Sequence, residues 1–155
     1  MNPTFRSHID TLPSGLDRLL AMKPETVSSL SKQVPRRGIY LFSEGSRHLY
    51  VGRSNRLRQR ICNHGKPTAT WRQAAFAFRL AREATGKTKA SYRPEGSRQE
   101  LMKDPVFLAA FQQAKARIAQ MDVRYVEEAD PIRQCLFEIY VAVTLGTPHN
   151  DFDNH

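Results

Sequence analysis

"GIYLFSEGSRHLYVG", residues 38–52, decides the fold. "GIYLF" and "RHLYV" are rich in β-formers, and "SEGS" between them is a short turn with a glycine. Two such runs around such a turn read as a β-hairpin. The second run meets Gly52, and "RSNRLRQRICNH", residues 53–64, follows. Ser54 suits a helix N-cap. Leu57 and Ile61 form one buried face at i, i+4. On a helical wheel Arg53, Arg60 and His64 fall within about 20° of one line, with Arg56 to one side. The helix is therefore expected to turn its back to the core and a basic stripe outward.

Upstream, residues 1–35 read as a helical extension. Leu16, Leu19 and Leu20 suggest one short amphipathic helix, interrupted at Pro24. Val27 and Leu30 suggest a second, closed by Pro35. Downstream, "TWRQAAFAFRLAREATG" (70–86) reads as a helix with Trp71, Ala75 and Phe78 on one face and Gly86 as its stop. "KTKASYRPEG" (87–96) is polar, basic and broken by Pro and Gly, so a mobile loop is expected. Ser97 and Glu100 have capping-box spacing. Asp104-Pro105 starts another helix, striped by Phe107, Ala110, Phe111, Ala114 and Ile118. "MDVRYVEE" (121–128) alternates as a third strand. The order implies an α+β domain: a small three-stranded sheet, antiparallel or mixed, wrapped by helices.

The last helix lies in "DPIRQCLFEIYVAVTLGTPHN", residues 130–150. Asp130-Pro131 is an N-cap followed by proline at the first helical position, and Gly146 is a stop. The helix is apolar on nearly every face, which marks it as buried. Yet Glu138 sits in its middle, and Gln134, Cys135, Val141 and Ala142, one turn away, carry no positive charge. Either Glu138 faces solvent or pairs with a distant Arg, or it holds a metal or moves protons.

Composition narrows the choice. The chain has 155 residues and a net charge of +9. Residues 36–103 carry sixteen basic and four acidic side chains, whereas residues 104–155 carry four basic and eight acidic. Positive charge gathered in one region is the footprint of a polyanion binder. No stretch approaches a membrane span. The first residues lack a charged start followed by an apolar run, so no secretory signal is expected. Cys62 and Cys135 lack zinc-site spacing and suit reduced thiols, which points to a cytoplasmic location.

"GIY" at 38–40 and "YVG" at 50–52, with a basic residue after the glycine and Asn55-Arg56-Leu57 opening a helix, resemble the signature of the GIY-YIG nuclease family. Arg60, His64 four residues on, a Glu in a later helix and an Asn beyond it extend the likeness. It covers roughly residues 36–64 and 122–152. The resemblance implies a nuclease domain over 36–155 with a helical and basic-loop insertion at about 66–120. It implies a divalent-metal-dependent phosphodiesterase that cuts DNA, with RNA left open. Tyr40 and Tyr50 would be the motif tyrosines, Arg53, Arg60 and His64 the basic face, Glu138 the ligand of one Mg²⁺ or Mn²⁺, and Asn150 a supporting residue. The chain departs from the family in its long stretch between Arg60 and Glu138, and in having no evident second DNA-binding domain. The form of DNA recognised therefore stays open. A lone domain makes one cut, so a double-strand break needs a homodimer or two visits.

The chemistry of those residue types agrees. Phosphodiester hydrolysis needs an activated water, neutralisation of the phosphoryl oxygens and a stabilised leaving group. A carboxylate suits a hard cation. Arg60 can grip phosphate with two donors. Tyr40 would be the general base if neighbouring arginines lowered its pKa, and His64 is the alternative. Arg53, Arg56 and Arg60, with Lys87, Lys89, Arg93 and Arg98 in and beside the basic loop, are the expected phosphate contacts. Each residue also has a structural alternative: strand packing for the tyrosines, a solvated helix face for the arginines, a helix-end role for His64, a cap for Asn150. Three readings follow: an active endonuclease, a catalytically inactive nucleic-acid-binding module of the same fold, and an interaction domain with incidental charge.

Overall fold

The computed structural model describes residues 1–88 and 97–153. The chain forms two compact units, Met1–Ile61 with Met121–Asn150, and Cys62–Gln120 with Asp151–His155.

The first unit is an α+β layer around a three-stranded antiparallel sheet of order β2-β1-β3. β1 (Gly38–Glu44) and β2 (Arg47–Ser54) form the expected hairpin. Glu44 pairs with Arg47 across a two-residue turn, where Gly45 takes φ +60°; hairpin turns this tight need positive φ. β3 (Asp122–Glu127) pairs with the other side of β1. β1 is central, and six of its seven residues are buried. Ile39 and Leu41 share one face with Val51 and pack against Leu12, Leu16, Leu19, Phe137 and Val141. Tyr40 and Phe42 alternate onto the other face.

The N-terminal residues supply part of this core. α1 (Pro3–Ile9) is capped by Asn2, whose side chain accepts the Phe5 N–H. α2 (Leu12–Ala21) buries Leu12, Leu16 and Leu19. The second helix expected around Val27 and Leu30 is only a 3-10 turn, Val27–Ser29, held by reciprocal bonds between Thr26 and Ser29. Both sheet edges are covered. Glu25 exchanges two backbone bonds with Val123 on the β3 side. On the β2 side, the His149 N–H donates to the Leu49 carbonyl. Covered edges remove templates for association.

α3 (Leu57–Gly65) follows β2. Here the structure departs from the sequence expectation at Arg53 and at Ser54, which ends β2 and is not the helix N-cap. β2 continues through Ser54, so Arg53 is a strand residue and not part of the α3 face. Ser54 Oγ accepts the Arg56 N–H at 2.9 Å within the strand–helix turn, and the helix begins at Leu57. α7 (Pro131–Leu145) matches its expected limits. Asp130 accepts from the Ile132 and Arg133 N–H groups, and Gly146 closes it at φ +64°.

The second unit is helical. α4 (Ala75–Thr85) ends at Gly86 with φ +73°. It starts later than Trp71, because residues 70–74 close a separate turn. The Gln73 and Ala74 N–H groups both donate to the Thr70 carbonyl, and the Gln73 side chain accepts the Thr70 N–H. α5 (Arg98–Leu101) is capped by Ser97, and α6 (Pro105–Ala119) by Asp104. Phe78 of α4 meets Phe107 and Phe111 of α6 at ring distances of 5.1 and 6.3 Å. Lys115 is 1% exposed; its ammonium donates to the Pro67 and Ala69 carbonyls at 2.6 and 2.8 Å and lies over the Phe111 ring.

Candidate active site

Tyr40 leaves the central strand and is 1% exposed. Its cross-strand partner is Gly52. A Cβ at Gly52 would overlap the Tyr40 ring and hydroxyl, so the glycine is what lets the phenol lie across the neighbouring strand. Tyr50 projects from β2 two residues earlier, its ring 6.4 Å from that of Tyr40. Arg60, on α3, donates a hydrogen bond to the Tyr40 hydroxyl, and Tyr40 is hydrogen-bonded to Tyr50.

These contacts set the protonation states. Burial raises the Tyr40 pKa well above 10, with the Tyr50 and Glu138 charges adding to the rise; Arg60 opposes it without prevailing. Burial also raises Tyr50, again against Arg60. The expectation that neighbouring arginines would lower Tyr40 is thus corrected: desolvation of a phenolate inside a sheet outweighs one guanidinium. Burial would lower Arg60, but Tyr40, Tyr50 and Glu138 together raise it. Arg60 is a fixed cation.

Glu138 projects from α7 between the buried residues Phe137 and Val141. Its carboxylate meets Arg53 Nε at 3.1 Å, and its side chain is 22% exposed. Burial raises its pKa, opposed by Arg53 and then Arg60. The carboxylate is therefore not stranded. Its cation comes from a strand 85 positions away in the chain, where no periodicity could reveal it. Among the described residues no three His, Cys, Asp or Glu side chains gather around one point. The donor set fits a Mg²⁺ or Mn²⁺ that keeps most of its waters, since one partly exposed carboxylate oxygen is the ligand such an ion needs. Arg53 competes for that oxygen.

Asn150 works as an extra peptide group. Its Oδ1 accepts the Val51 N–H at 2.9 Å, and its Nδ2 donates to the Val51 carbonyl at 2.8 Å. Thr147 Oγ1 donates to the same Oδ1. Asn150 thereby fixes β2 midway between Tyr50 and Gly52. Gln134, absent from the sequence expectations, is a second positioning residue. It is buried and donates to the Glu128 carbonyl and to Asn55 Oδ1, tying the start of α7 to the β2–α3 turn. Its one sequence signal is a polar residue on the buried face of an apolar helix.

The other expected residues separate. His64 lies in the second unit, fully buried, its ring edge-on to Phe76 at 6.4 Å. It is not on an outward stripe. Arg56 is exposed. Lys87 is ion-paired with Asp104 at 2.9 Å, and Arg98 lies over the Phe78 ring. Lys89 and Arg93 lie outside the described residues.

Tyr40, Tyr50, Arg53, Arg60 and Glu138 thus make a phenol-lined site whose two guanidiniums outnumber its one carboxylate. Such a site attracts anions. Comparisons with models of protein families, with curated proteins and with solved structures found no match for this chain.

Proposed function

We propose that the chain is a metal-dependent phosphodiesterase that cuts nucleic acid, of the GIY-YIG type. The observation that carries this reading is Arg60 hydrogen-bonded to Tyr40 inside a site that also holds Glu138. A phosphodiester diester brings one negative charge to a site with one excess positive charge. Arg60 binds a non-bridging oxygen through its fork and neutralises the charge that grows there in the transition state. Tyr40 takes the proton of the attacking water. It must first give its own proton to solvent, which Arg60 favours and burial opposes; as the water oxygen bonds to phosphorus the opposite P–O bond breaks, and the leaving oxygen takes up a proton from solvent. Glu138 would hold a divalent cation, which when bound supplies Lewis acidity at the phosphoryl oxygen. Arg53, which now pairs with Glu138, would be the guanidinium nearest that cation's oxygen ligand and could serve an adjacent phosphate. DNA is the first substrate to test, and RNA the second.

The inactive binding module of the same fold is favoured by one observation, the Arg53–Glu138 pair. It would keep the carboxylate occupied and leave a cationic surface without chemistry. The deciding experiment incubates the protein with labelled duplex, single-stranded and branched DNA and with RNA, with Mg²⁺, Mn²⁺ or EDTA. The nuclease reading expects metal-dependent products from at least one substrate. Tight, salt-sensitive binding with no product under any metal establishes the inactive module.

A further inference from the structure

The arginines at the open end of the hairpin lie outside the site described above. Arg36 and Arg37 lead into β1, and both are exposed. Their backbone is pinned from two directions. The Arg36 carbonyl accepts the Leu57 N–H at 2.9 Å, and the Arg37 carbonyl accepts the Glu128 N–H at 3.0 Å. The first bond ties Arg36 to the start of α3, next to Arg56. Gly38 pairs with Ser54, so Arg36, Arg37, Arg53 and Arg56 all emerge at one end of the sheet.

The carboxylates at this end leave that charge largely uncompensated. Glu138 is taken by Arg53, and Glu128 by Arg133. Glu127, opposite Gly38, is exposed. Among the described residues no ion pair is formed by Arg36, Arg37 or Arg56. Like charges held close together repel one another. A rigid backbone that keeps them there is suited to an external polyanion. Arg37 lies just before β1 and three residues from Tyr40 in the chain, about 10 Å of extended backbone at ~3.3 Å per residue, the rise of about three nucleotides at ~3.4 Å each.

We infer that Arg36, Arg37 and Arg56 grip the sugar-phosphate backbone of the substrate about three nucleotides to one side of the scissile phosphate. The patch rests on the phosphodiesterase reading, and it gives that reading a direction: contacts on one side of the cut outweigh those on the other. The test uses DNA oligonucleotides lengthened one nucleotide at a time on either side of the mapped cut. Wild type, Arg36→Ser/Arg37→Ser and Arg36→Lys/Arg37→Lys are titrated at several salt concentrations. Wild type should tighten on lengthening one side through about three nucleotides. The Ser double variant should lose that gain, and its salt slope should flatten by ~1.4–1.8 units, taking roughly 0.7–0.9 per contact. The Lys pair should keep the slope. Because the pinning bonds use carbonyls, the Ser variant should melt at or above wild type. Salt lines of equal height and slope for wild type and the Ser variant overturn the patch while leaving the phosphodiesterase reading standing, and so does weaker binding that tracks a lowered melting temperature. Wild type that binds no oligonucleotide at any salt overturns both.

Discussion

At Tyr40 two forces oppose each other. Burial holds the proton on the phenol, and the Arg60 hydrogen bond pulls toward phenolate. Since burial prevails, a reaction using Tyr40 as base should speed up with pH through and beyond neutrality, with no plateau by about pH 9, because free Tyr already has a pKa near 10. A rate that levels off near neutrality would rule Tyr40 out as the base. Tyr40→Phe keeps the packing and should cost at least ~100-fold in rate. Arg60→Lys should recover part of what Arg60→Ala loses, because the charge returns without the fork. Glu138 gives a stability prediction with a definite sign. Its folded pKa lies above the unfolded value. The folded state binds the proton more tightly, so this contribution is present at acid pH and is lost as pH rises through the folded pKa. Glu138→Gln should therefore melt at or above wild type at pH 7, and the advantage should shrink toward pH 4, as read by thermal melts across that range. The motif resemblance singles out Tyr40, Tyr50, Arg53, Arg60 and Glu138 in the sequence. Their electrostatics are not legible there. The sequence cannot say that Arg53 reaches Glu138 or how deeply Tyr40 is buried, because both depend on contacts between elements far apart in the chain.

Elements with local signals were read well. Asp130-Pro131, Asp104-Pro105 and Ser97 each cap a helix, and Gly86 and Gly146 each end one at positive φ. Asn2-Pro3 carries the same kind of signal and caps α1. The structure departs from the local signals where a competing turn prevails, as at Thr70, or where a strand outruns its expected end, as at Arg53. The role of Asn150 belongs to this scale too, because one side chain stands in for a missing strand against β2. Three hydrogen bonds of part-buried character are at stake. Asn150→Ala should cost about 1.5–4.5 kcal/mol, at ~0.5–1.5 per bond. Asn150→Asp should cost at least as much, since an oxygen would then face the Val51 carbonyl. Urea denaturation measures both. In the second unit, Lys115→Met should cost about 1–3 kcal/mol by leaving the buried Ala69 carbonyl unsatisfied. Nothing local marked Lys115 as buried, and its position at the edge of an apolar stripe reads equally well as a solvated lysine.

For the whole molecule, the α+β class and the three-stranded sheet follow from β-former content, turn and cap signals and hydrophobic periodicity together. The all-antiparallel order β2-β1-β3 needed the structure. No helix among the described residues is long and apolar enough to cross a membrane. With a net charge of +9, binding of a polyanion would be strongly salt-dependent. The central claim joins that charge to chemistry at Glu138, and one measurement tests the two together. Wild type and Glu138→Gln are mixed with the same labelled DNA in Mn²⁺, and bound and cleaved fractions are read from the same samples over time. The account predicts that wild type cuts, and that Glu138→Gln binds as tightly or more tightly, since one negative charge has left the site, while cutting at least ~100-fold more slowly. Equal cleavage by the two proteins, or cleavage that persists in EDTA, would contradict it.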